Sequence, residues 1–325
     1  MTDTVLITGG LGFVGGRLGR HIAAHTNLNV RLSSRRAGTP RPVWLKSGSV
    51  VGLDLYTGDG LEAACKGVRY IIHLAAMNEV ESIEDPEKAF IINSLGTLKL
   101  LGAAERAGVE RFIYFSTAHV YGAPLAGRIT ELTLPRPAHP YAITHRAAED
   151  FVLASHDKQK ITGIVLRLSN GFGAPDDPDV NRWMLLVADL CKQAVTTGRL
   201  VLRSSGLQQR DFITLEDVSM ATTRFLTLPA DACGDGLFNL GGECAMSVFA
   251  MAERISSRCS AILGFTPEII RPEPKADEIA APLDYRIDKL KSKGFSLRGD
   301  IDSELDATLR LCKQAFGHAH DKGEA

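Results

Sequence analysis

The chain predicts a doubly wound α/β fold, a parallel sheet (Rossmann type) covered by helices on both faces, with a smaller C-terminal lobe, and three observations carry that reading. Short runs rich in Val, Ile and Leu, namely VLIT, NVRLSS, YIIHLAA, RFIYFST and GIVLRLS, alternate with longer helical patterns. Such short, near-continuous apolar runs suit parallel strands buried on both faces. A glycine-rich turn closes the first run and opens the first helix. After Asn170 the rhythm changes to GFGAPDDPD, a helix expected from about Arg182 to Thr197, the strand-like LVLRSS, then RDFITLEDV, the proline-interrupted PEIIRPEPK and a final helix around Asp302 to Ala315. This interleaving assigns residues 1–169 and about 211–240 to the sheet domain, 170–210 and 241–317 to the lobe, and 318–325 to a disordered tail.

Composition narrows the function classes. The 325 residues are 45% hydrophobic and carry a net charge of −1. There is no broad basic footprint for nucleic acid or an anionic membrane, so a phosphate-bearing ligand must be held by a few placed groups. The six cysteines show neither a CxxC pair nor metal-type spacing; reduced thiols are expected, and no metal site. The start, MTDTVLITGG, enters a strand without a signal-peptide pattern, and no uncharged apolar run reaches membrane-spanning length. A cytoplasmic protein is expected.

The first strand ends in Gly9-Gly10-Leu11-Gly12-Phe13-Val14-Gly15. Glycines at 9, 12 and 15 allow a tight turn, close approach to a pyrophosphate, and helix-on-strand packing, while the main chain of Phe13 and Val14 opens the helix toward the ligand. The expected ligand is a dinucleotide. The second strand ends in Ser34-Arg35-Arg36, without the carboxylate that an NAD site normally offers the ribose. Two guanidiniums suit a 2′-phosphate, so NADP is favoured and NAD is the alternative; as a bland reading, the pair is a solvated loop.

Three further segments, HLAAMNEVESIEDPEKAFIINSLGTLKLLGAAERAGV, RFIYFSTAHVYG and HPYAITHRAAE, resemble the extended short-chain dehydrogenase/reductase family, within it the nucleotide-sugar epimerases, dehydratases and reductases. The resemblance runs from Val5 to about Phe295. It implies that Asp54 and Leu55 face adenine, that Leu74, Ala75 and Ala76 line the cofactor, and that Asn93 opens a helix beside the site. It also implies that Thr117 is the active-site hydroxyl and that Tyr141, 24 residues on, is the acid/base. Asn170 and Arg210 would bind the diphosphate of a nucleotide-sugar, the strand at Leu200 would offer main-chain groups to the base, and Phe238-Asn239-Leu240-Gly241-Gly242 would be structural. Two long helices, near Asn93–Ala107 and Tyr141–Ser155, would form the bundle of a homodimer through residues such as Leu98, Leu101 and Ala147.

Two departures bear on the reaction. The dehydratases of the family carry an Asp-Glu or Ser-Glu pair after the threonine, and this chain has Ala118-His119. Ala118 transfers no proton, which disfavours dehydration and decarboxylation; His119 is either a proton donor or a packed ring. Four residues after Tyr141, where the family has a lysine that holds the nicotinamide ribose and lowers the tyrosine pKa, stands His145. The two share a helix face, and a histidine of ordinary pKa is mostly neutral near pH 7. A phenol without a nearby charge gives a proton more readily than it takes one. The expectation is therefore a nucleotide-sugar C4 ketoreductase with Tyr141 as proton donor; the rivals are a 4-epimerase and a binding protein without catalysis. A rate that rises between roughly pH 6 and 8 is the expected mark of imidazole ionisation.

Overall fold

The computed structural model describes residues 2–36 and 38–317, so the tail expected at 318–325 lies outside the described residues. Seven parallel strands form the main sheet: β1 (Thr4–Thr8), β2 (Asn29–Ser34), β3 (Ser49–Gly52), β4 (Tyr70–His73), β5 (Arg111–Thr117), β6 (Thr162–Leu168) and β7 (Leu237–Leu240). Their order across the sheet is β7-β6-β5-β4-β1-β2-β3, so the winding reverses between β1 and β4. A crevice opens at the carboxyl ends of the strands at such a reversal, and ligands of open α/β sheets bind there. All residues of β1, β4 and β5 are buried, which is why they read as unbroken apolar runs.

Two apolar layers sandwich the sheet. On one side α1 (Phe13–His25) packs beside the helix Leu215–Thr227, with Leu18, Ile22, Val218 and Phe225 in the layer. The other layer uses Leu100, Ala104, Ala148 and Val152 from α3 (Gly96–Arg106) and α4 (Pro140–Asp157), the helix Glu79–Glu84 being α2. The lobe has its own core, where helices Leu186–Thr197, Val248–Leu263 and Ile301–Phe316 meet around Leu190, Met251, Ile255 and Leu309. Local chemistry sets the helix starts: Thr214, Ser247 and Asp300 each cap a helix by accepting a main-chain N–H, and Pro140 takes the first turn of α4. Arg17 of α1 joins the two units, donating to Glu304 Oε1 at 2.6 Å and to the Ala174 carbonyl at 2.8 Å.

Several expectations shift. The helix expected from Arg182 begins at Leu186, because the preceding residues turn, with Trp183 Nε1 donating to the Pro178 carbonyl. LVLRSS and PEIIRPEPK contribute one short pair, Arg199–Val201 beside Glu268–Ile270. Leu101 is buried in the sheet layer while Leu98 is exposed, so only the second is available to another chain.

One carboxylate holds α4 to the sheet. Glu149 and Arg167 are both fully buried, and Arg167 donates to Glu149 through Nε at 3.0 Å and Nη2 at 2.6 Å. Removing one partner strands the other's charge in a dry interior. Glu149→Ala should cost about 3–5 kcal/mol of unfolding free energy, measured by urea denaturation; a cost below about 1 kcal/mol would show that the pair is dispensable.

Candidate functional site

The glycine turn is shaped by close approach. Gly9 has φ +66°, a left-handed conformation, and a Cβ there would lie 3.0 Å from Ala75 N. A Cβ on Gly15 would come within 2.1 Å of the Gly9 carbonyl oxygen, so only glycine lets the first turn of α1 lie on the loop. Gly12 caps α1, its N–H bonded back to Gly9 at 2.9 Å, and Phe13 is buried while Val14 packs against the core. The helix N-terminus therefore follows a loop that carries no Cβ at Gly9, Gly12 or Gly15, a cradle that fits a pyrophosphate. Leu74 and Ala75 are placed by their N–H groups, which both donate to Thr8 Oγ1 at 3.2 Å.

Along the adenosine side, Ser34 ends β2 with its hydroxyl bonded to Thr39, and Arg35 and Arg36 are exposed. Asp54 Oδ1 accepts from the Tyr56 and Thr57 N–H groups, which leaves Oδ2 for an outward contact, and Leu55 is buried beneath it. Asn93 lies in a π-helical stretch, Phe90–Leu95, rather than at a helix start. Its amide binds the Met77 N–H at 2.7 Å and the Thr144 hydroxyl at 3.1 Å, so it joins the Leu74–Met77 loop to α4 instead of presenting itself to a ligand.

Thr117 is the last residue of β5, with Oγ1 accepting the His119 N–H at 3.2 Å. Tyr141 stands in the first turn of α4, half-buried, its ring 4.3 Å from that of His145 and 6.1 Å from that of His139. Burial pushes its pKa up to about 12, with Glu79 adding to the rise and Arg182 opposing it. His145 is buried and its Nδ1 is 2.6 Å from the Tyr114 hydroxyl. With Tyr114 donating, the ring's proton sits on Nε2, which is buried without a protein partner. That orphaned donor fits a ribose hydroxyl, but it brings no charge: burial, reinforced by His139, pushes the His145 pKa down to about 3.

In the lobe, Asn170 Oδ1 and Arg210 Nη1 are 3.5 Å apart, and Asn170 Nδ2 donates to the Asp211 carbonyl at 2.9 Å. The Asp211 carboxylate accepts the Gly242 and Cys244 N–H groups and forms no ion pair with Arg210 among the described residues. Leu200 is wholly buried in its short strand. Two residues that no motif singled out, Glu79 and His139, gather with His119 within 4.8 Å of one another. Burial lowers the His119 pKa, Glu79 opposes the drop, and His139 and Arg210 add to it.

The sequence model of the NAD dependent epimerase/dehydratase family matches residues 5–241. The chain belongs to this family. A mouse relative of the family, named dTDP-D-glucose 4,6-dehydratase, is 31% identical over 186 residues, 57% of this chain and 50% of its own. A UDP-glucose 4-epimerase from Streptomyces lividans is 30% identical over 198 residues, 58% of this chain and 56% of its own. The chain thus spans about half the length of these curated relatives. A structure of the Thermus thermophilus UDP-glucose 4-epimerase in complex with NAD covers 96% of this chain and 99% of its own at 25% identity, with a TM-score of 0.78.

These names overturn the ketoreductase reading, since they are epimerases and dehydratases. One residue does not choose the reaction direction. A tyrosine that gives and takes the proton within one turnover is slowed in one half-reaction by a high pKa, and the pKa does not decide which reaction the site performs. The favouring of NADP also finds no support in a neighbour solved with NAD.

The structure moves His145 out of the neutral range, so its ionisation should leave no step in the rate between about pH 6 and pH 8. His145 and His73, both pushed down from 6.5 to about 3, take up protons in the unfolded chain before the folded one. Their contribution to stability is whole above about pH 6.5 and is lost as pH falls toward 3. Urea unfolding at about pH 7 and about pH 5 should show the decline, and His145→Gln should lessen it; an equal decline in the variant would contradict the assignment.

Proposed function

We propose that the chain is an NAD(P)-dependent nucleotide-sugar 4-epimerase. What carries the reading is one arrangement: the Tyr141 ring lies 6.1 Å from that of His139, which is 5.6 Å from that of His119 on the turn after Thr117, while Arg210, free of Asp211 and steadied by Asn170, acts on the same His119. Between the two activities in the relatives' names, dehydration needs an acid–base pair after the threonine. Here the first position is a buried alanine and the second a histidine whose pKa is lowered.

When bound, the cofactor supplies hydride acceptance from the sugar C4 and its return to the other face. The remaining work falls to side chains. Tyr141 Oη, in its phenolate form, takes the proton of the C4 hydroxyl as hydride leaves and returns it as hydride comes back, while the Thr117 hydroxyl keeps that oxygen in line. His145 Nε2–H holds the nicotinamide ribose, Gly9, Gly12 and Gly15 the pyrophosphate, and Asp54 the adenosine. Arg210 and Asn170 take the sugar diphosphate, for which a guanidinium offers paired, charge-assisted bonds. The cofactor of the structural neighbour is NAD, and Ser34, Arg35 and Arg36 leave a 2′-phosphate admissible. A homodimer would use the exposed Leu98 of α3 with Ile143 and Phe151 of α4. The free cysteines suit a reducing compartment, and none of the described helices is long and apolar enough to cross a membrane.

The test is incubation with UDP-hexoses and a catalytic amount of NAD, with products resolved by NMR. The expected product is the C4 epimer without net change in cofactor redox state; stoichiometric NAD(P)H consumption would overturn the proposal. Tyr141→Phe should lower kcat by about 100-fold or more while dinucleotide affinity stays unchanged. A native chain that is inactive until His145→Lys switches it on would mark a binding protein instead.

A further inference from the structure

Glu79, His119 and His139 come from three separate segments that meet above the carboxyl ends of the strands. Glu79 is the first residue of α2, whose start is fixed by a reciprocal cap: Asn78 Oδ1 accepts the Glu81 N–H and Glu81 Oε2 accepts the Asn78 N–H, both at 3.0 Å. His119 stands on the 3₁₀ turn that the Thr117 hydroxyl caps, and His139 is the residue before Pro140 at the head of α4. Each main-chain position is thus set before the three side chains converge.

The distances decide between two readings of the convergence. His119 Nε2 is 3.6 Å and His139 Nε2 3.5 Å from the same Glu79 oxygen, Oε1. A hydrogen-bonded relay would draw these atoms to roughly 2.7–3.2 Å. Two ligands of one tetrahedral ion, each bonded at about 2.0–2.1 Å, stand roughly 3.3–3.4 Å apart, close to what is found. The third separation, between a nitrogen of each ring, lies within 4.8 Å, with the ring centroids 5.6 Å apart, and the one-third exposure of the His119 side chain leaves its ring room to turn. Neither ring has a protein partner on Nδ1, so nothing fixes a proton on either Nε2.

We propose that Glu79 Oε1, His119 Nε2 and His139 Nε2 bind a divalent transition-metal cation of the zinc class, with a fourth position left to water. Two imidazoles and one carboxylate form a ligand set of the kind that three-ligand zinc sites use. Because both rings lack supporting partners on Nδ1, the ion is exchangeable and the fold does not depend on it. The six cysteines play no part in it, and the ion's binding does not rest on the epimerase reading.

The full chain, made without a histidine tag and stripped with chelator, is dialysed against Zn²⁺. One ion per chain is expected, with a thermal unfolding curve that chelator leaves in place. Glu79→Gln and His139→Ala should each weaken binding by more than about 100-fold, exceeding the loss of a mere supporting partner. His21→Ala/His25→Ala removes the stacked ring pair on α1, the competing surface site, and should leave binding intact. Co²⁺ in the same site should show the intense visible bands of a tetrahedral ion. The proposal is overturned if the native chain binds no Zn²⁺ at micromolar free ion. It is equally overturned if folded Glu79→Gln binds as tightly as native, or if only the His21/His25 variant loses the ion.

Discussion

The geometry of the cleft rests on one buried carboxylate. Glu149 lies two turns beyond Tyr141 on α4 and accepts hydrogen bonds from Ser116, Arg146 and Arg167. Ser116 precedes Thr117 on β5 and Arg167 lies on β6, so a single group sets α4 against two neighbouring strands. Arg167 is in turn stacked over the Tyr121 ring at 4.6 Å, and its carbonyl accepts the Tyr285 hydroxyl at 2.7 Å. A buried pair of this kind adds little net stability over a well-packed apolar alternative. Its effect here is registration: Thr117 and Tyr141 belong to different elements, and the angle of α4 sets how their hydroxyls stand to one another.

The same dry interior sets the electrostatics. Tyr114 and Tyr141 both have raised phenol pKa values through burial, and His73 and His145 both have lowered imidazole values. Together they make a layer of neutral polar rings beneath the cleft, where the family places a lysine. Charge is instead concentrated at Arg210 and at Glu79, the second beside His119 and His139. The missing lysine therefore does more than remove a positive group: it leaves Tyr141 over neutral rings, with Glu79 and Arg182 as the charges that act on it.

Much of the fold is legible in the sequence because its causes are local. Unbroken apolar runs mark strands buried on both faces, Pro140 and the hydroxyl and carboxylate caps mark helix starts, and Gly15 marks a contact that no side chain permits. β3 is not legible in this way, because a short, half-exposed edge strand has no apolar run to announce it. Leu101 reads as surface although it is buried, because a helix facing both the sheet and solvent carries apolar residues on both sides.

By itself the sequence determined the fold class, the glycine turn and the absence of a lysine at His145, since each is a matter of residue type at a short spacing. Tertiary structure decided what those residues become. Burial, which depends on every packed neighbour, moved His145 from a group poised to titrate to one held neutral. Contacts between distant segments turned Asn93 inward to the protein, set Arg210 beside Asn170 rather than Asp211, and brought Glu79, His119 and His139 to one point. Residues 40 and 20 positions apart carry no pattern that a linear reading can detect; only the meeting of three loops over the sheet makes them neighbours.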